Sequence, residues 1–338
     1  MGLMSVPKIL ELYRGTIEQG LEEALRDPST GGAPSPLYPI LRYHVGLCDE
    51  DGKRVKALGK MLRPSLLLFT AHELGGEIDR ALPAAIGLEL VHNFSLIHDD
   101  IQDQDEIRRG RPTVWKLIGV AQAINAGDLM YSLAIDNALH AGADAAAAIL
   151  AAATAMIEGQ GLDLAFEERW VDTRSYIDMI DKKTGALIRC AFRTAGITSG
   201  AREETLAALS SLGEELGRAF QIRDDLLGVW GDGDVTGKPK GSDIKRKKKS
   251  FPVSLAMQQA DEGGRSILER VYTQERISDG DVERVIGLMD SLNVKESVGE
   301  AVEQHLRTAR EHLDRLPISE EGREMMNELI AYLARREK

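Results

Sequence analysis

Two acidic clusters carry the chemistry this sequence offers. Asp99, Asp100 and Asp103 sit in Leu96-Ile97-His98-Asp99-Asp100-Ile101-Gln102-Asp103, and Asp224 and Asp225 close Phe220-Gln221-Ile222-Arg223-Asp224-Asp225. A helix turns about 100° per residue, so Asp99 and Asp103 project within roughly 40° of each other. Gln221, Asp224 and Asp225 share a face by the same arithmetic. Carboxylates crowded on one face repel unless a cation neutralises them. Oxygen-only clusters suit hard cations, and Mg²⁺ takes a few carboxylates together with waters and phosphates. A solvated acidic face would explain either cluster alone. Two clusters with basic segments beside both favour opposite halves of a magnesium–diphosphate site.

The basic segments are specific. Lys60 and Arg63 lie three apart where a helix is expected to begin, with Pro64 tolerable in its first turn. A helix start plus two cations attracts anions. His92 lies two turns before Asp99 on the same expected helix. Arg108, Arg109 and Arg111 follow the first carboxylates, and guanidinium forks match phosphate oxygens. Salt bridges to Asp103, Asp105 and Glu106 would also account for them. Lys182-Lys183-Thr184-Gly185 interrupts another helical pattern. After the second cluster come Thr236-Gly237-Lys238-Pro239, Asp243 and the run Lys245-Arg246-Lys247-Lys248-Lys249. Beside carboxylates, that run reads better as a lid bringing lysines to a diphosphate than as a nucleic-acid patch.

These residues must be positioned by helices. Apolar residues recur with helical spacing over Leu82 to Ile107, Thr113 to His140, Ala145 to Phe166, Glu203 to Trp230 and Val294 to Leu313. Aromatics are only 5% of the chain, and no alternating strand pattern holds. Turn signals at Gly31-Gly32, Gly75-Gly76, Gly110, Gly200 and Gly231 to Gly241 punctuate the pattern. No clean linker and no repeat stand out. The expectation is an all-α fold, a single large helical bundle over residues 1–338, with the stretch to about Pro36 peripheral.

Bulk properties narrow the function. The 338 residues carry 43% hydrophobic content, enough for a substantial core, and a formal net charge of −12, which argues against nucleic-acid binding. Cys48 and Cys190 fit two reduced thiols, as in a cytoplasmic protein. Met1 to Leu10 lacks a signal-peptide pattern, and the tract Ala145 to Ile157 is too short to span a bilayer. No transmembrane segment is expected.

In this order and spacing, the motifs resemble those of the trans-prenyltransferases, the polyprenyl (isoprenyl) diphosphate synthases. Gly59-Lys60-x-x-Arg63-Pro64 resembles their Gly-Lys-x-x-Arg-Pro element, and His92 to Asp103 their first aspartate-rich motif. Arg108-Arg109-Gly110-Arg111-Pro112-Thr113 resembles its arginine tail, Lys183-Thr184-Gly185 the mid-chain Lys-Thr element, and Phe220-Gln221-x-x-Asp224-Asp225 the second aspartate-rich motif. The resemblance implies the isoprenoid synthase type I fold around a central cavity, and a homodimer. It implies that Asp99, Asp100, Asp103, Asp224 and Asp225 hold about three Mg²⁺ around an allylic diphosphate. Arg108, Lys183 and Lys238, with Lys248 as a lid residue, would contact that diphosphate. Lys60, Arg63, His92 and Arg109 would bind isopentenyl diphosphate, and Thr184 and Gln221 would face the developing allylic cation.

One position departs from the family pattern. A third aspartate is expected at 228, where this chain has Gly228; Asp232, Asp234, Asp243 or water is left to fill the place. The departure keeps a non-catalytic subunit of a heteromeric synthase in view. A terpene cyclase also uses acidic helices and Mg²⁺, but it needs no second diphosphate site of the Lys60, Arg63 and Arg109 kind. Phe94, five residues before Asp99, and Ser95, four before, occupy the positions that line the family's elongation tunnel. Together with the uninterrupted Asp100-x-x-Asp103 spacing they resemble the pattern for geranylgeranyl (C20) diphosphate, with farnesyl (C15) and C25 products as alternatives.

Overall fold

The computed structural model describes residues 6–29, 35–55, 57–231 and 239–335. Helices account for nearly all of the secondary structure. The first five are α1 (Lys8–Leu12), α2 (Arg14–Ala24), α3 (Leu37–Val45), α4 (Leu62–Glu73) and α5 (Ile78–Gln102). A minimal hairpin follows, β1 (Ile107–Arg108) paired antiparallel with β2 (Arg111–Pro112). Then come α6 (Val114–Ile118), α7 (Val120–His140), α8 (Ala143–Glu167), α9 (Thr173–Ile180), a π-helical turn at Asp181–Gly185, α10 (Ala186–Thr198) and α11 (Glu203–Trp230). The later helices are Ser242–Lys245, Phe251–Gln259, Glu262–Tyr272, Asp279–Ser291, Val294–Leu313 and Glu320–Arg335.

The all-α expectation holds, and apolar spacing sets Glu203–Trp230 and Val294–Leu313 at both ends. The stretch Leu82 to Ile107 is corrected. Its helix stops at Gln102, and residues 107–112 turn back as the hairpin. Arg109 (φ 52) and Gly110 (φ 73) form the two-residue connection, the paired positive φ of a type I′ turn. Gly119 (φ 80) separates α6 from α7 within what the spacing reads as one helix.

The contacts divide the chain into two compact units. One comprises Met1–Ala153, Cys190–Ser210 and Pro317–Met325; the other comprises Thr154–Arg189, Ser211–Leu316 and Met326–Lys338. Helices α8, α10 and α11 each run from one unit into the other, which is why no linker is visible in the sequence.

Within the first unit α5 packs along α7 at close range. A Cβ on Gly87 would lie 2.7 Å from the carbonyl oxygen of Ala134, so only a small residue permits that approach. The N-terminal helices are part of this unit and not peripheral. Ile9, Leu10, Ile17, Leu21 and Leu25 are buried. The spacing of residues 17, 21 and 25 lays one face of α2 against its neighbours, and each fully buried aliphatic chain contributes about 1.5–3 kcal/mol relative to exposure. In the second unit Leu212, Leu216, Ala219, Ile222 and Val229 line the buried face of α11. Helix α8 has 25 residues and is apolar enough to cross a membrane by length and composition. It also carries Glu158 and Asp163, paired with Lys182 and Lys183, as a packed helix of the fold would.

Candidate active site

The first acidic cluster closes α5. The backbone N–H of Asp103 donates to the carbonyl of Asp99 at 2.8 Å, so the two residues stand one turn apart on one helical face. Asp100 faces inward and is 1% exposed. Its Oδ1 accepts from Arg108 Nε at 2.7 Å, while its Oδ2 is buried without a hydrogen-bond partner. Burial pushes this carboxyl up to about 6 against the pull of Arg108. The arginine pairs with Asp100, and Glu106 pairs with Lys116 at 2.7 Å.

The hairpin distributes three guanidinium groups from one tight turn. Arg108 reaches Asp100. Arg109 lies against Gly59, where a Cβ would meet its Cζ and Nη2 at 2.9 Å. The glycine of Gly59-Lys60-x-x-Arg63-Pro64 thus makes room for Arg109. Arg111 turns the other way, donates to the carbonyls of Tyr43 (3.2 Å) and Cys48 (2.7 Å), and stacks 3.9 Å from the Tyr43 ring. It splints the hairpin to the segment after α3. Arg14 of α2 donates to the carbonyls of Leu58 (3.2 Å) and Gly59 (3.4 Å), fixing the same loop from the N-terminal side.

Helix α4 begins at Leu62 after Met61 (φ 52), so Arg63 and Pro64 occupy its first turn as the sequence suggests. Arg63 Nε is buried without a partner. Glu89 on α5 is 3% exposed and accepts from Asn93 Nδ2 at 2.9 Å. Burial raises its pKa, and the nearby Arg63 lowers it in part. Burial first, then Arg63, Arg109 and Arg108, holds His92 well below its ordinary value. His44 is pushed to about 3 by burial and then by Arg109 and Arg108. Both histidines are therefore neutral at pH 7 amid fixed cations, which suits an anion with several oxygen acceptors. Glu89 escapes a reading for acidic pairs. A glutamate inside the apolar run from Ala84 to Val91 was its signal.

The Lys-Thr element forms the π-helical turn Asp181–Gly185. Two glycines let neighbouring helices close on it: a Cβ on Gly217 would lie 2.7 Å from the Gly185 Cα, and one on Gly159 would overlap the Lys183 backbone. Arg218 clamps the turn's start through Asp181 at 2.6 and 2.8 Å. π-turns widen a helix and recur at functional sites. Lys183 pairs with Asp163 of α8, and Thr184 Oγ1 donates to Gln221 Oε1 at 2.8 Å. Gln221 Nε2 donates to Asp225 Oδ1 at 3.0 Å. Asp225 Oδ2 accepts from Tyr176 Oη at 2.6 Å and from the Phe251 N–H at 3.2 Å. Burial lifts Asp225 to about 7, with Asp243 adding to the rise. Asp163 and Tyr176 carry no sequence signal of their own, because their partners lie 20 and 49 residues away.

Gly228 leaves a gap that Asp243 fills. A Cβ on Gly228 would overlap the carboxylate of Asp243, which is 8% exposed. Lys238, Asp232 and Asp234 lie outside the described residues. In the basic run, Lys245 pairs with Asp279 at 2.5 Å, and Lys249 donates to the Glu167 and Phe166 carbonyls at 2.6 and 3.3 Å. Those two lysines have structural partners, and Lys248 is exposed.

Phe94 is 6% exposed and packs edge-on to His98 (centroids 5.6 Å apart) and tilted to Tyr131 (5.0 Å). Gly127 makes room for the His98 ring. Ser95 Oγ is tied to the His92 carbonyl at 2.8 Å.

An oxygen-binding divalent cation fits both clusters. Asp100 keeps a buried Oδ2 without a hydrogen-bond partner beside its Arg108 pair, and the Asp243 carboxylate raises the pKa of Asp225, so both clusters offer oxygens on which a cation would be favourable. Among the described residues no three carboxylate, imidazole or thiol groups form a closed cage. An open arrangement suits Mg²⁺, which shares its shell with phosphates and water.

The chain is similar to known proteins over most of its length. The polyprenyl synthetase family model matches residues 52–289. A (2E,6E)-farnesyl diphosphate synthase of Mycobacterium tuberculosis is 36% identical over 311 residues, covering 89% of this chain and 86% of that one. A geranylfarnesyl diphosphate synthase of Aeropyrum pernix is 39% identical over 297 residues, covering 84% of this chain and 92% of that one. The crystal structure of a geranylgeranyl pyrophosphate synthetase from Pyrococcus horikoshii aligns with a TM-score of 0.84 at 33% identity, covering 97% of each chain.

Proposed function

We infer the reaction from one premise: this chain belongs to the polyprenyl synthetase family and is a prenyl diphosphate synthase. We propose that it condenses an allylic diphosphate with isopentenyl diphosphate and releases mainly all-trans geranylgeranyl (C20) diphosphate. The observation that carries the reading is the hairpin that sets Arg108 on Asp100 and Arg109 on Gly59. It ties the first carboxylate cluster to the Gly-Lys-x-x-Arg-Pro element. A cyclase has no use for that second anion site.

In this reading Lys60, Arg63, His92 and Arg109 hold the diphosphate of isopentenyl diphosphate. Arg108, Lys183, Lys238 and Lys248 hold that of the allylic substrate. Mg²⁺, about three ions when bound, withdraws charge from the leaving diphosphate. Asp99, Asp100, Asp103, Asp224 and Asp225 would be its ligands. Asp225, whose oxygens already accept three hydrogen bonds, would add at most one position, whereas Asp100 offers its whole Oδ2. The carbon–oxygen bond of the allylic substrate breaks, and its electron pair leaves with the diphosphate. Thr184 and Gln221 sit beside the resulting cation. The isopentenyl double bond attacks that cation, and the departing diphosphate takes the proton lost from the adduct. The side chains position the partners and exclude water, which would quench the cation.

Phe94 supports the C20 assignment, because its ring packs against α7 five residues before Asp99. The relatives' names span three product lengths, so the C20 reading rests on Phe94, Ser95 and the uninterrupted Asp100-x-x-Asp103 spacing. The Asp243 carboxylate beside Gly228 favours a competent second cluster over a non-catalytic subunit. The acting form is proposed to be a cytoplasmic homodimer. The test incubates the purified protein with Mg²⁺, isopentenyl diphosphate and C5, C10 or C15 allylic diphosphates. C20 diphosphate is the expected product. A hydrocarbon would mark a cyclase, and no elongation would sink the proposal.

A further inference from the structure

We propose that Tyr176 is a positioning residue that acts through Asp225 and Gln221 to aim the hydroxyl of Thr184; this rests on the prenyl-transfer reading above. The four side chains form one continuous line within the second unit. Tyr176 Oη donates to Asp225 Oδ2 at 2.6 Å, Gln221 Nε2 donates to Asp225 Oδ1 at 3.0 Å, and Thr184 Oγ1 donates to Gln221 Oε1 at 2.8 Å.

The direction of every bond in this line is set by the one before it. Asp225 accepts through both oxygens, Oδ2 from Tyr176 and the Phe251 N–H and Oδ1 from Gln221, so Gln221 turns its NH₂ group toward it. Its carbonyl then faces Thr184, and a carbonyl cannot donate. Thr184 therefore commits its single proton to Gln221, and the lone pairs of its oxygen are left for a neighbouring electrophile. A fixed negative dipole beside a developing cation stabilises it without reorganisation during the reaction. A reversed amide would give Thr184 a donor instead and free its proton to point at the cation, which is the wrong sign.

Tyr176 matters because it anchors the far end. Its phenol and the Phe251 N–H (3.2 Å) both occupy Oδ2, which reserves Oδ1 for Gln221. Tyr176 is 6% exposed and lies on α9, the helix that leads directly into the π-turn bearing Thr184. The line thus pins the second acidic cluster to the Lys-Thr element at both ends.

The test uses Tyr176→Phe, which removes the hydroxyl and keeps the ring. With Mg²⁺ and saturating substrates, kcat should fall about tenfold to a hundredfold, below the loss seen when a direct electrostatic donor is removed. KM for isopentenyl diphosphate should stay within about twofold, since the change spares ground-state binding of that substrate. A non-reacting aza analogue, with an ammonium at the cationic carbon, should bind about tenfold more weakly to Tyr176→Phe, while an uncharged thio analogue of the allylic diphosphate binds as before. In a Thr184→Val background Tyr176→Phe should add no further loss. Gln221→Met, which breaks the line nearer Thr184, should reproduce the selective loss for the aza analogue and decides the matter if Tyr176→Phe does not fold. Unchanged kcat in Tyr176→Phe, equal weakening of both analogues, or multiplying losses in the double variant would each overturn the inference while leaving wild-type elongation intact. A wild-type protein that elongates nothing overturns the prenyl-transfer reading, and this inference with it.

Discussion

The carboxylate of Asp243 stands in the space that a side chain at Gly228 would need. A side chain at 228 would force that carboxylate to move, so an aspartate fifteen residues further along the chain occupies the space beside the position where the family pattern expects one. Restoring the family pattern should therefore do harm. Gly228→Asp places two carboxylates in one volume, and overpacking alone costs about 1–3 kcal/mol. Activity and melting temperature should both drop. The exchange Gly228→Asp with Asp243→Gly should recover much of the loss in both. If Gly228→Asp alone matches or exceeds wild-type activity, the two positions do not compete.

Gly59→Ala should act on isopentenyl diphosphate alone. The added methyl would sit 2.9 Å from the Arg109 guanidinium and push it off its seat. One weakened charge-assisted hydrogen bond, about 1.4 kcal/mol, corresponds to a roughly tenfold higher KM for that substrate. KM for the allylic diphosphate should hold. Steady-state kinetics with each substrate varied in turn distinguishes the outcomes, and an unchanged isopentenyl KM would detach Arg109 from that site.

The helices and the motif residues were legible because both are local signals. Apolar spacing set both ends of Glu203–Trp230 and Val294–Leu313, and the acidic, arginine and Lys-Thr motifs are short strings. What escaped depends on partners distant in sequence. Tyr176 meets Asp225 across 49 residues and Asp163 meets Lys183 across 20, and neither member announces the other. The π-turn was visible only as an interruption. The burial of the N-terminal helices is hidden in the sequence for a different reason. Arg14, Glu18, Glu22 and Glu23 make the segment read as polar, while the narrow stripe of Ile17, Leu21 and Leu25 decides its burial. Arg111 likewise looked like its neighbours until the turn at Arg109-Gly110 sent it to Tyr43.

Phe94→Ala should lengthen the product. The ring sits about 7.5 Å of helix axis from Asp99 at 1.5 Å per residue, wedged between His98 and Tyr131. Removing it opens that wall and costs about 3–5 kcal/mol of stability, so the variant should be assayed well below its melting point. Chromatography of the dephosphorylated alcohols should show chains beyond C20. Unchanged length would strip Phe94 of a gating role.

The pH dependence of stability should separate the wild type from His92→Gln. His92 and His44 are neutral when folded, one held well below its ordinary value and the other at about 3. Below about pH 6.5 the unfolded chain takes up protons that these sites refuse, so their contribution is complete above that pH and is lost as the pH falls. Asp100 and Asp225, raised to about 6 and about 7, act with the opposite sign. There the folded chain keeps protons that the unfolded chain releases above about pH 4, so stability declines as the pH rises toward those values. The two pairs largely offset one another between about pH 4 and 6. Replacing His92 with glutamine removes one opponent of the carboxyls without adding a charge. Relative to the wild type, the variant should gain up to about 1.4 kcal/mol for each pH unit of acidification in that window. Urea midpoints measured at half-unit steps would show the two curves diverging toward low pH. Parallel curves would mean that His92 is not held neutral by its surroundings.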